Sequence, residues 1–99
     1  MRVALDRAAR SELREAALFY EDGRDGLGQE FLDAVDAAIG EVCQHPTMWR
    51  SLTGRFRRHL VRRFPYAIVY AIEAETIYVA AVMHLKHKPG YWEGRGREP

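Results

Sequence analysis

The residues best equipped for chemistry crowd into one block of the chain. Arg55, Arg57, Arg58, Arg62 and Arg63 fall within nine positions, and His84, Lys86, His87, Lys88, Tyr91 and Trp92 close the block. Guanidinium and ammonium groups at this density would hold phosphate or carboxylate oxygens. Imidazole changes charge near neutral pH, so His84 and His87 could move a proton. The Tyr91-Trp92 pair could stack on a nucleobase, a contact worth about 1–3 kcal/mol per base. Each feature also has a plainer explanation. The arginines could solvate an edge strand, His84 could be a hydrogen-bonded structural residue ending a strand, and Tyr91-Trp92 could seal the core. His59, set among arginines, is expected to face solvent.

The charge is divided unevenly about Pro46. Residues 1–45 carry ten acids against five arginines, a net −5, while residues 46–99 carry ten bases against four acids, a net +6. The near-neutral total of +1 conceals this dipole. A positive end of this kind attracts polyanions or an acidic peptide at a rate that depends on salt. The target-binding candidates are therefore Arg55, Arg57, Arg58, Arg62, Arg63, Lys86, Lys88 and Trp92.

Other chemistries find no framework. His84 and His87 belong to no HExxH pattern, no acid lies between residues 84 and 92, and Cys43 is distant, so neither a metal site nor a cofactor is expected. Gly23, Gly26 and Gly28 precede no Gly-Lys-Ser/Thr, which leaves no phosphate-binding loop. The single cysteine cannot form an internal disulfide and suits a reducing cytoplasm. No run of about 18 apolar residues is present to span a bilayer. Asp6 interrupts the first residues too early for a secretory signal, so a soluble, unprocessed protein is expected.

The elements that must position these groups follow from period. Ala9, Leu13, Ala16, Ala17 and Tyr20 recur at helical spacing, as do Leu27, Phe31, Val35, Ala38, Ile39 and Val42. Asp6 is suited to cap the first helix, Gly23-Arg-Asp-Gly26 breaks the pattern, and His45-Pro46 stops the second. The short link predicts an antiparallel helical hairpin. Val3-Ala-Leu5 suggests a brief strand, and the segment through Gly54 reads as a loop anchored by Trp49. Phe56 to Arg63 predicts a strand with one wet face. Ala67 to Ile72 and Ile77 to Val82 form a strand pair joined by a four-residue turn. With 99 residues there is room for one domain, 1–99, with 94–99 as a frayed tail. The predicted class is α+β: an N-terminal antiparallel helical hairpin on a small, mainly antiparallel β-sheet. Its acidic helices would back a β-layer whose exposed side gathers the cations.

This order of parts resembles the RelE/ParE toxin superfamily of bacterial type II toxin–antitoxin systems. The resemblance is carried by Ala16-Ala-x-Phe-Tyr20, Gly26-Leu-Gly28, Phe31-Leu32, His45-Pro46, Arg62-Arg-Phe-Pro-Tyr66 and His84-x-x-x-x-Pro-Gly-Tyr-Trp92, and it spans nearly the whole chain. It implies a growth-inhibiting, plasmid-stabilisation type of toxin held by a cognate antitoxin in a cytoplasmic hetero-oligomer. RelE-like members cut messenger RNA on the ribosome, whereas ParE-like members poison DNA gyrase without known nuclease chemistry. Under the RelE-like alternative Arg58 and Tyr91 match family positions, Lys86 matches approximately, and His84 is a further catalytic candidate. These four must then converge on one concave patch. Ala67 stands where RelE-like nucleases place an arginine after the tyrosine, and alanine cannot stabilise a phosphorane. The resemblance therefore leans towards a gyrase inhibitor. A third possibility is a non-toxic binding module that acts only with the antitoxin in autoregulation.

Overall fold

A computed structural model describes residues 1–88 and 90–96. The chain runs β1 (Arg2–Leu5), α1 (Arg7–Gly23), α2 (Leu27–Gln44), β2 (Arg50–Thr53), β3 (Phe56–Leu60), β4 (Tyr66–Glu73) and β5 (Thr76–His84). The strands form one sheet in the order β1-β5-β4-β3-β2, antiparallel except where β1 lies parallel to β5. This is the α+β arrangement expected, with the helical hairpin against one face of the sheet.

Local chemistry sets the helix ends. Asp6 caps α1 by accepting the Ala8 N–H at 2.9 Å, and its other carboxylate oxygen accepts from the Tyr78 hydroxyl. Gly26 turns the chain at φ +88°, a conformation that costs glycine little. The Glu21 carboxylate then accepts the N–H groups of Gly26 and Gly28, both at 2.9 Å, two donors that a helix start otherwise leaves unpaired. Gly28 lets the helices approach closely: a Cβ there would stand 2.6 Å from the Ala17 carbonyl oxygen.

Two apolar clusters hold the layers together. Between helices and sheet lie Ala9, Ala16, Phe31, Val35, Ala38, Val42, Ile68, Tyr70, Ile77, Val79 and Val82. On the far face, Phe56, Ala67, Val69, Ala71, Ala80, Ala81 and Met83 pack with Trp92. The chain after β5 thus returns to cover part of the face that the helices leave open.

Several expectations need correction. The segment before Gly54 contains β2, a four-residue strand whose sequence Arg-Ser-Leu-Thr carries one apolar residue and no clear alternation. It exists because the tight Gly54-Arg55 turn, with Gly54 at φ +55°, folds it back on β3. β3 ends at Leu60 rather than Arg63. Arg63 adopts φ +72°, and the Val61 N–H donates to the Tyr66 carbonyl, so Arg62 to Pro65 form the turn into β4. The tail is not free at Arg95, whose guanidinium bonds Glu12 and the Ala80 carbonyl. Residues 97–99 of the expected frayed segment, and Pro89, lie outside the described residues.

Candidate functional site

Side chains of a strand alternate between faces, so the arginine run cannot form a single patch. In β3, Arg57 and His59 stand opposite Tyr70 and Ile68 on the helix side, whereas Phe56, Arg58 and Leu60 stand opposite Ala71, Val69 and Ala67 on the far side. Arg57 reaches back to donate to the carbonyls of Thr47 and Trp49 at 3.1 and 2.9 Å. Arg55 pairs with Glu73 at the neighbouring strand end. Arg62 and Arg63 lean over α2, bonding Glu41 at 3.1 Å and Glu30 at 2.9 Å. The proposed layer of clustered cations is therefore corrected: most of these guanidinium groups neutralise acids of the same chain. Arg63 and Arg24 hold the Glu30 carboxyl below its usual pKa.

His59 also departs from expectation, because its register places it inward. Its side chain is 12% exposed, its ring stacks on Trp49 with centroids 3.8 Å apart, and Nε2 lies 2.6 Å from Glu41. That hydrogen bond is the main reason the Glu41 carboxyl sits below its usual pKa, with Arg62 adding to it. Trp49 is the anchor predicted for its segment, packed at the margin of the core.

Arg58 has a different setting. It stands directly opposite Arg50 on β2, and among the described residues neither has a carboxylate within 4.0 Å. Lys86 and Lys88 are exposed on the segment after β5 and likewise make no ion pair there. Trp92, expected among the target contacts, is 1% exposed and meets the Phe56 ring at 4.8 Å. Burial removes it from any docking surface, so the core reading of this residue is the correct one.

A cleft of about 250 Å³ gathers His84 and Tyr91 with Glu12, Glu15, Ala16, Phe19, Tyr66, Val82 and His87. His84 Nδ1 accepts the Lys86 N–H at 3.0 Å, which leaves Nε2 as the ring's N–H. Its ring meets Tyr66 edge-on at 5.0 Å, and His87 lies 4.4 Å from Tyr91. Burial and the Glu12 carboxylate push the Tyr91 hydroxyl up to about 12, which leaves it protonated at neutral pH. Arg58 and Lys86 do not line this cleft. Arg58 belongs to the far face, while His84, opposite Tyr66, belongs to the helix face.

Sequence reasoning missed Glu12, Glu15, Phe19 and Tyr66 as members of this cleft. One signal was available for Glu12, an acid between Ala9 and Ala16 on the buried side of a helix, where a carboxylate needs partners. A family model described as the ParE toxin of the type II toxin–antitoxin system parDE matches residues 3–89. The chain belongs to the ParE toxin family. Among solved structures, this ParE-family chain is similar to one from the chromosomal ParDE TA system of P. aeruginosa, with a TM-score of 0.64 and 16% identity. That match covers 87% of this chain and 97% of the other, a likeness of fold. Among curated proteins none matches. No helix among the described residues of the ParE-family chain is long and apolar enough to cross a membrane.

Proposed function

We propose that this ParE-family chain is a growth-inhibiting toxin that acts by binding a protein target, DNA gyrase, rather than by cutting RNA. One relationship carries the reading: Arg58 and His84 lie on opposite faces of the sheet. Cleavage at a 2′-hydroxyl needs a base, an acid and a cation around one phosphate. The cleft that holds His84 and Tyr91 is instead lined by Glu12, already paired with Arg95, and by Glu15, whose negative charge repels a phosphodiester. Ala67, the position where RelE-like nucleases carry arginine, is fully buried.

The partner proposed for the resting state is a cognate antitoxin in a cytoplasmic hetero-oligomer. Among the described residues β1 and β2 are the two outer strands of the sheet, each with one edge that no other strand pairs and that can accept a further strand from such a partner. The decisive experiment adds purified chain to a gyrase supercoiling reaction and, separately, to a ribosomal translation reaction programmed with messenger RNA. Inhibited supercoiling with intact transcripts is expected. Transcripts cut within translated codons would replace this reading with the nuclease one, and a product harmless when induced alone would leave only the binding-module role.

A further inference from the structure

The outward pole of α1 carries a charge pattern that the fold itself does not use. Ala9 and Ala16 point into the core, and helical spacing then sets Arg7, Arg14 and Leu18 on the opposite pole, with Arg10 and Asp22 beside them. Leu18 is 58% exposed. Arg7, Arg10, Arg14 and Asp22 make no ion pair among the described residues. Read along the axis, the pole is cationic, then apolar, then anionic.

Leu18 lies midway between Arg14 and Asp22, four residues from each, or about 6 Å along the helix in either direction. That symmetry has a specific consequence. If two copies of α1 pack antiparallel about a two-fold axis at Leu18, Arg14 of each copy meets Asp22 of the other, and Leu18 meets its own counterpart. A contact between identical surfaces must be self-complementary in this sense. Beside the ridge, a groove of about 370 Å³ lined by Arg10, Leu13, Arg14, Ala17, Leu18 and Leu32 offers the partner's leucine an apolar seat.

We propose that this face of α1 is the contact of a two-fold homodimer, with a second copy of the chain as its occupant. The contact is small, so association belongs to the weak, reversible class. It is independent of which target the toxin inhibits.

The test is sedimentation equilibrium of the isolated chain from micromolar to millimolar concentration, with circular dichroism to monitor the fold. The native chain should pass from monomer to dimer, and Leu18→Ser should remain monomeric with an unchanged spectrum, since the side chain is mostly exposed. Arg14→Asp and Asp22→Arg each replace an attraction with a repulsion twice per dimer, and each should weaken association by about tenfold. The combined variant Arg14→Asp/Asp22→Arg should restore it. These positions are eight residues apart on one helix, about 12 Å, so rescue must operate between copies. A native chain that stays monomeric throughout, or a combined variant no better than the single ones, would overturn the proposal. Association that survives Leu18→Ser would overturn it as well.

Discussion

Arg95 and Glu12 together complete the sheet edge that β1 leaves open. β1 ends at Leu5, opposite Val79, so among the described residues no strand pairs with the outer edge of β5 beyond that point. Ala80 is an extra residue there, because Val69 pairs with Ala81 while Tyr70 pairs with Val79. Arg95 donates to the Ala80 carbonyl at 2.9 Å, Glu12 accepts the Val82 N–H at 3.0 Å, and the two side chains meet at 3.0 Å. The cation also covers the Tyr91 ring at 4.9 Å. One ion pair thereby ties α1, β5 and the C-terminal turn together.

Glu12→Ala and Arg95→Ala should therefore destabilise the fold. The two side chains are 23% and 20% exposed, and each deletion strands a partly buried partner, which costs on the order of 1–3 kcal/mol. Thermal melting by circular dichroism reads the loss, and hydrogen exchange locates it. The Val82 amide should exchange faster in Glu12→Ala than in the native chain; unchanged protection there would show that the carboxylate does not close the edge.

Trp92→Ala should cost more. Its ring fills the far-face cluster against Phe56, and truncating a buried aromatic residue typically costs about 3–5 kcal/mol. Domains have only about 5–15 kcal/mol in total, so a large fraction of the stability is lost. Trp92→Phe should retain most of it. Equal urea midpoints for Trp92→Ala and the native chain would contradict the burial of this side chain.

The helices and the central hairpin were legible because several signals agreed at each: the Asp6 cap, the Gly26 turn, the His45-Pro46 stop, and the apolar runs of β4 and β5. β2 was not, since Arg50 to Thr53 is held by the turn at Gly54 rather than by any preference of its own. The cationic run misled for a different reason. Arg57, Arg58 and His59 are neighbours in sequence, but a period of two sends them to opposite faces, and which face each takes depends on the register with β4. Sequence also cannot reveal that Arg62 and Arg63 find Glu41 and Glu30, because those acids lie on a helix far away along the chain.

Acid should weaken the fold in part through Glu41. Its folded-state pKa lies below the ordinary value, chiefly through the His59 hydrogen bond, so its contribution is present above the unfolded pKa and lost as pH falls through the folded one. His59→Phe removes the hydrogen bond that is the main cause of that depression while keeping a ring to stack on Trp49. Urea midpoints measured from neutral pH to about pH 3, across the carboxylate range, should fall at a higher pH in the variant than in the native chain. Coincident pH profiles would mean that His59 does not set the Glu41 titration.

Gly28→Ala should separate the helices. The added methyl would stand 2.6 Å from the Ala17 carbonyl oxygen and 2.9 Å from the Glu21 carboxylate, and neither the backbone nor the capping acid can yield without breaking local bonds. Overpacking of this kind costs about 1–3 kcal/mol. Gly40→Ala is the control, since nothing lies within 4 Å of a Cβ there, and alanine is the better helix former by about 1 kcal/mol. The two alanine variants should move the melting temperature in opposite directions.

Function can be separated from stability at the cleft. If the chain inhibits a protein target without cleaving RNA, His84→Ala and Tyr91→Phe remove the candidate acid and base groups but leave growth arrest intact. Arg58→Ala should also fold normally, because its loss relieves a cross-strand pairing of like charges with Arg50, a change within about 0.5 kcal/mol at the surface. Induction of each variant without an antitoxin, with its level followed by immunoblot, reads the outcome. A nuclease would lose on the order of a hundredfold or more in rate when such a group is removed, so growth restored at normal protein levels by both His84→Ala and Arg58→Ala would favour catalysis. Their effects would then have to be reconciled with two side chains that project from opposite faces of one sheet.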